Sequence, residues 1–192
     1  VGFSSGVIST VVISLFKSFW VETKSRLIWH TGNNLEFALI LGGLFAVMIL
    51  AAIILGKETV FTSYKRILKC TGTDYFKQEG KASVLLNMGI NGIFAMLLVL
   101  IVGGDLNGPT IGGIFTIVGF SSTGKHLFNI APIMFGVILA STTKDWSITD
   151  PGALLALLFS TTLAPVAGEF GVLAGLLAGY LQSSVALNVG IL

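Results

Sequence analysis

An all-α, polytopic membrane fold with short broken or re-entrant helices is predicted for this chain by three observations. The first is composition: hydrophobic residues make up 54% of 192 residues and charged residues only 10%, with a mean hydropathy of +0.92. A soluble globular chain carries roughly 25% charged residues, because it must wet its surface with them. The second is where the charges lie. Beyond residue 81 only Asp105, Lys125, Lys144, Asp145, Asp150 and Glu169 remain. The apolar stretches between them are near or above the roughly 18 residues that mark a spanning candidate. The third is punctuation, since several apolar runs are bounded by Gly, Pro and Asn after about a dozen residues, too few to cross a bilayer.

In chain order, residues 1–16 are apolar but short and read as the end of a span that begins upstream. Residues 17–34 form a mixed connector in which Trp20 and Trp29 suit the headgroup zone, and Gly32-Asn33-Asn34 reads as a turn capping the next helix. Leu35–Leu55 is the cleanest span, reaching roughly 31 Å at 1.5 Å per residue. Glu36 in its first turn complements the helix dipole. Residues 56–81 are the long hydrophilic stretch, expected to be a loop. Lys57, Lys65, Arg66, Lys69, Lys77 and Lys81 there outnumber Glu58, Asp74 and Glu79, so the positive-inside rule assigns this loop to the cytoplasm. The net charge of +2 and the pI near 8.8 arise in that stretch, so no nucleic-acid surface is implied.

Ala82–Val102 is the second good span, with Asn87 and Asn91 on one helical side. A helix from Pro109 to Phe120 would be only about 18 Å long, which suggests a half-helix or re-entrant hairpin. Pro109 fits the first helical position, where no N–H partner is needed, and Asn107 or Gly108 can cap. His126–Ala140 is again short and is interrupted by Pro132. Trp146 anchors the following loop at the interface. The last stretch, 151–192, is broken by Pro165, and its Gly171, Gly175 and Gly179 set a small-residue face for close helix packing.

The residues singled out for solute binding or a pathway are Asp105, Asn107, Gly108, Pro109, Thr110, Gly112 and Gly113, together with Asn91 and Glu169. The N–H groups after Pro109 and the positive end of the half-helix suit an anion or polar solute, with Asn107 adding an amide. The same residues also make an ordinary capped turn with Asp105 solvated, and both readings stay open. Glu169 is the lone charge of residues 151–192; a carboxylate at membrane depth marks a cavity or proton site, whereas Pro165 permits a helix start at the headgroups. Lys125 and His126 read as an anion-attracting pair or as a snorkelling helix end. Asn87, Asn91, Asn129 and Asn188 read as lining a polar path or as interhelical hydrogen bonds.

Enzymatic signatures are weak. His30 and His126 lie far apart, and no zinc, Walker, serine-hydrolase or dinucleotide motif occurs, so no catalytic residue, metal or cofactor is expected. A single cysteine, Cys70, excludes a disulfide framework. The chain begins at Val1 without a cleavage signal and ends in an apolar run, and it reads as an internal piece of a longer protein. Val1-Gly2-Phe3-Ser4-Ser5-Gly6 recurs as Val118-Gly119-Phe120-Ser121-Ser122-Thr123-Gly124, which hints at duplication with a repeat boundary within 56–81.

The runs GGDLNGPTIGGIFTIVGFSSTGKHLFNIAPIMFGVILAS (103–141) and LAPVAGEFGVLAGLLAGYLQ (163–182) resemble a group of uncharacterised bacterial multi-pass membrane proteins, catalogued as a domain of unknown function with an internal tandem duplication. NGPTIGG and APVAGEFG are the most specific parts. The resemblance implies a longer, duplicated protein of the bacterial inner membrane and brings no functional residue with it. More loosely, Asn107-Gly108 opening a half-helix is similar to the asparagine–glycine turns of urea transporters, an analogy of architecture. The expected function is a transporter or channel for a small polar solute. The alternatives are an intramembrane enzyme acting on a lipid-linked substrate and a membrane scaffold or sensor subunit. Expected partners are membrane lipid, the solute and a second copy of the chain.

Overall fold

A computed structural model describes residues 29–189, all α-helical apart from turns. The Val1–Gly6 segment, Trp20 and the charges of the 17–26 connector lie outside the described residues, so the duplication stays a matter of sequence. The helices are α1 (Asn34–Gly56), α2 (Thr59–Ile67), α3 (Tyr75–Ile101), α4 (Gly108–Phe120), α5 (Leu127–Thr143), α6 (Pro151–Phe159), α7 (Ala164–Phe170) and α8 (Val172–Val189), with a 3-10 turn at Ser160–Leu163. Among the described residues, three stretches are long and apolar enough to cross a membrane: α1, α3 and the run Pro151–Phe170. The shorter apolar helices are α4, α5 and α8.

The spans form where apolar side chains leave backbone hydrogen bonding as the helix's own task. Leu35, Leu39, Ile40, Leu44, Leu50 and Ile54 of α1 are exposed, a face suited to lipid. Its inner side packs on α3, where a Cβ on Gly92 would meet the Phe45 ring at 2.7 Å. Asn33, at the N-cap of α1, makes no side-chain capping bond, contrary to the expected Asn33-Asn34 cap. Asn34 instead ties the helix start to residues 105–106, accepting from Leu106 N at 2.7 Å.

The polar stretch 56–81 is not a plain loop. Thr59–Ile67 forms α2, burying Val60, Ser63 and Ile67 while Lys65 and Arg66 stay exposed. Its apolar stripe is easily overlooked because charges dominate the composition. Asp74 caps α3 by accepting from Phe76 N and Lys77 N, and the helix breaks at Gly80 before continuing through the expected span. Arg66 Nη2 pairs with Glu79 at 2.7 Å and so ties α2 to the segment before that break.

α4 starts beside the beginning of α1, through the Asn34–Leu106 bond. It runs inward, and the chain reverses at residues 121–126 against the middle of α3. α5 returns to the starting end, where Gly103 and Thr149 lie together. α6 then runs alongside α4, with Leu154 beside Gly104 and Leu158 beside Gly113. It continues through the 3-10 turn into α7, which ends at a second reversal at Gly171. α8 goes back along α5, with Gly175 against Pro132 and Gly179 against the Ile133 carbonyl. Gly175 and Gly179 thus sit at a helix–helix approach. Gly171 takes a different part from the packing one expected of it: at φ 88°, with nothing near a would-be Cβ, it makes the turn between α7 and α8.

Candidate functional site

The Asp105–Gly113 constellation folds as a closed, self-satisfied cap. The Asn107 carbonyl oxygen accepts from Thr110 N at 3.0 Å, and Thr110 Oγ1 accepts from Asn107 N at 2.9 Å. This reciprocal box leaves few orphan donors at the start of α4. Asn107 Nδ2 donates to the Trp29 carbonyl at 3.0 Å, and Thr110 Oγ1 donates to the Asp105 carbonyl at 2.8 Å. Pro109 stands in the first turn, Gly108 and Gly112 are exposed, and Gly113 lies against Leu158. The geometry matches the capped-turn alternative for this motif.

Asp105 serves as the tether of that cap. Its carboxylate accepts from Asn34 Nδ2 at 2.6 Å and from His30 Nδ1 at 3.0 Å. The Asn34 amide first, then His30 and Thr31, hold its carboxyl below the usual carboxylate range, against a smaller opposing effect of burial. A depressed carboxyl adds stability above the unfolded-state pKa, and that contribution is lost as pH falls through the folded one. The melting temperatures of the parent and Asp105→Asn should therefore differ near neutrality and converge on acidification below the ordinary carboxylate range. Thermal unfolding in detergent across that window checks it, and a constant gap would contradict the tether.

A second polar constellation, which the sequence marks only in fragments, lies at the reversal between α4 and α5. Asn87 and Asn91, one turn apart on α3, face it together. Asn87 Nδ2 donates to the Ser121 carbonyl at 2.7 Å and to the Lys125 carbonyl at 2.8 Å. Asn91 Nδ2 donates to Ser121 Oγ at 2.7 Å. These bonds satisfy carbonyls that the helix end and the turn leave open. Asn129 supports the turn from the other side, accepting from His126 N at 2.9 Å and donating to the Gly124 carbonyl at 2.8 Å. Asn91 therefore belongs to this constellation and not to the one at Asp105.

Lys125 is only 6% exposed, which corrects the snorkelling reading. Its ammonium donates to Thr161 Oγ1 at 2.9 Å and lies 5.1 Å from the centre of the Phe120 ring. The Thr161 hydroxyl proton goes to the Leu158 carbonyl at 2.7 Å, so its oxygen is free to accept. The signal available in sequence was a lysine placed straight after a Ser-Ser-Thr-Gly reversal. Thr161, by contrast, carried no signal, because only the fold brings it near.

The polar segment between α2 and α3 covers both reversals. His126 Nε2 donates to the Cys70 carbonyl at 3.0 Å. A Cβ on Gly124 (φ 116°) would meet Gly72 Cα at 3.3 Å, and one on Gly168 would meet the Thr71 side chain at 2.5 Å. Two cavities flank the seam. One, of about 220 Å³, is lined by Gly72, Phe120, Thr123, Lys125, Thr162 and Pro165 among others. The other, of about 210 Å³, lies by Thr71, His126, Phe128, Gly168 and Gly171. Glu169 sits exposed in α7, the helix that starts at Ala164-Pro165, just before the second reversal.

Among the described residues no group of three or more histidine, cysteine or acidic side chains is placed to hold a metal ion. Comparison with curated proteins finds no match, and comparison with solved structures finds none. Residues 56–192, which include the seam, both reversals and the capped turn, match the model of a family described as a protein of unknown function (DUF1576), and the chain belongs to that family.

Proposed function

We propose that this chain is part of a transporter or channel passing a small polar solute across a bacterial inner membrane, with the 56–81 end in the cytoplasm. The observation that carries the reading is the reversal at 121–126. An apolar helix pair turns back at the level of Asn87 and Asn91, beside a cavity of about 220 Å³. Non-helical backbone at membrane depth is tolerated only against protein or where it lines a water-filled cavity, and discontinuous helices are the usual way transporters form a solute site. The lysines and arginine of 56–81 support the orientation through the positive-inside rule.

The reading favours the reversal over the Asp105–Gly113 turn as the solute site, since the polar side chains of that turn are engaged with one another. Reconstituted vesicles, challenged with a panel of small neutral and anionic solutes and followed by light scattering, test it. Flux of at least one solute should exceed that of protein-free vesicles and fall in Thr162→Val, a substitution in the cavity wall. Thr110→Val should leave the flux per folded molecule unchanged. A panel that never rises above protein-free vesicles removes the proposal.

A further inference from the structure

We infer that the cavity beside Lys125 is a binding site for a small monocarboxylate, whose charge is met by the Lys125 ammonium. The inference rests on the reading of this cavity as the solute site and names the class of solute. Burying a cation is costly unless a counter-charge and hydrogen bonds compensate. Among the described residues Lys125 forms no ion pair. Asp74, Glu79 and Asp105 are taken up by Lys77, Arg66 and His30 respectively. An ammonium has three donors. The structure uses one of them, toward Thr161, and supplements it with the face of Phe120. Among the described residues, the fold thus holds a positive charge, nine-tenths buried, in the wall of a cavity and supplies no negative charge for it.

The other walls define the rest of the ligand. Thr123 contributes a hydroxyl, the Thr162 hydroxyl proton goes to the Phe159 carbonyl at 3.0 Å, and Phe120 and Pro165 contribute apolar surface. An inorganic anion would leave that apolar surface unused; a carboxylate with a short hydrocarbon body would use both. The cavity opens to the exterior at Thr123, Thr162 and Pro165, and its volume of about 220 Å³ has room for an organic acid of a few carbons.

The probe is sodium propionate, with propionamide as its neutral isostere, added to the full chain in detergent and zwitterionic buffer. Propionate should raise the melting temperature saturably, and propionamide at equal concentration should not. Lys125→Met should abolish the propionate response. Should Lys125→Met fail to fold, the propionate–propionamide comparison on the parent decides alone. An equal response to the amide, or an undiminished response in folded Lys125→Met, overturns the assignment. Chloride matching propionate also overturns it, because the site would then not select an organic acid. Saturable propionate binding without propionate flux in vesicles upholds the site while removing the transport reading. Glycerol or urea flux in a protein that does not bind propionate upholds transport and overturns the carboxylate site.

Discussion

Gly179→Val should cost about 3 kcal/mol or more of stability and separate α8 from α5. A Cβ at Gly179 would overlap the Ile133 carbonyl oxygen, and one at Gly136 would overlap the Leu176 carbonyl oxygen. Real contacts of that kind do not fall below about 3 Å, and the obstacle in both cases is backbone, which no rotamer change can move aside. The helices must part, giving up the packing that holds apolar helices together where lipid provides no hydrophobic drive. Overpacking of a well-filled interface costs about 1–3 kcal/mol, and two helices in mutual backbone contact belong at or above the top of that range. Thermal unfolding in detergent should show a large fall for Gly179→Val and Gly136→Val. Leu177→Val, on the exposed side of α8, should stay within about 0.5 kcal/mol of the parent. A Gly179→Val protein as stable as the parent would mean that the two helices do not meet here.

The second large effect is expected at Asn87. Its side-chain amide is the shared donor for the Ser121 and Lys125 carbonyls and is itself fully buried. Asn87→Leu keeps the approximate volume and removes both bonds, leaving two carbonyls without that donor in a dry setting. Each unsatisfied buried group costs about 1–3 kcal/mol, and the Lys125 carbonyl keeps a long bond from Asn91 Nδ2 at 3.5 Å, so a loss of about 1–3 kcal/mol is expected, chiefly from the Ser121 carbonyl. The effect should be local as well as large. Amide hydrogen exchange should accelerate across 119–127 while the far end of α3, near Leu98 and Val99, keeps its protection. Solute flux should fall with it, since the reversal that lines the cavity loses its anchor. Uniform acceleration along α3 would point instead to global unfolding. The Asn91→Leu variant should be milder, as Asn91 Nδ2 reaches Ser121 through a hydroxyl that also donates to the Ile117 carbonyl.

Much of the architecture was legible in the residues. The span at Leu35–Leu55 lies within the observed Asn34–Gly56, and the short helix opened by Asn107-Gly108-Pro109 is the observed Gly108–Phe120. Both rest on local rules: an unbroken apolar run of bilayer length, and a proline where a helix needs no donor. Helix α2 was hidden because its buried side is only Val60, Ser63 and Ile67, one of them polar, among charged neighbours. Lys125 was misjudged because a lysine at a helix end usually reaches water, and its burial depends on Thr161 and Gly72, which are distant in sequence. Asp105, Asn107 and Thr110 stood out by spacing, yet spacing alone does not say whether polar groups turn outward or toward each other. The folded turn has them bonded mutually. Gly171 shares the four-residue interval of Gly175 and Gly179, but its backbone dihedral gives it another task.

The backbone at Cys70–Gly72, resting on both reversals, bears on how the protein is assembled. Its partner His126 lies 56 residues downstream, and Gly168 follows later still. Synthesis therefore delivers this segment well before either of the elements it seals. Until α5 has been inserted, the Cys70 carbonyl has only the nearby Tyr75 hydroxyl as a partner, and the seam closes in two steps, as His126 and then Gly168 follow it.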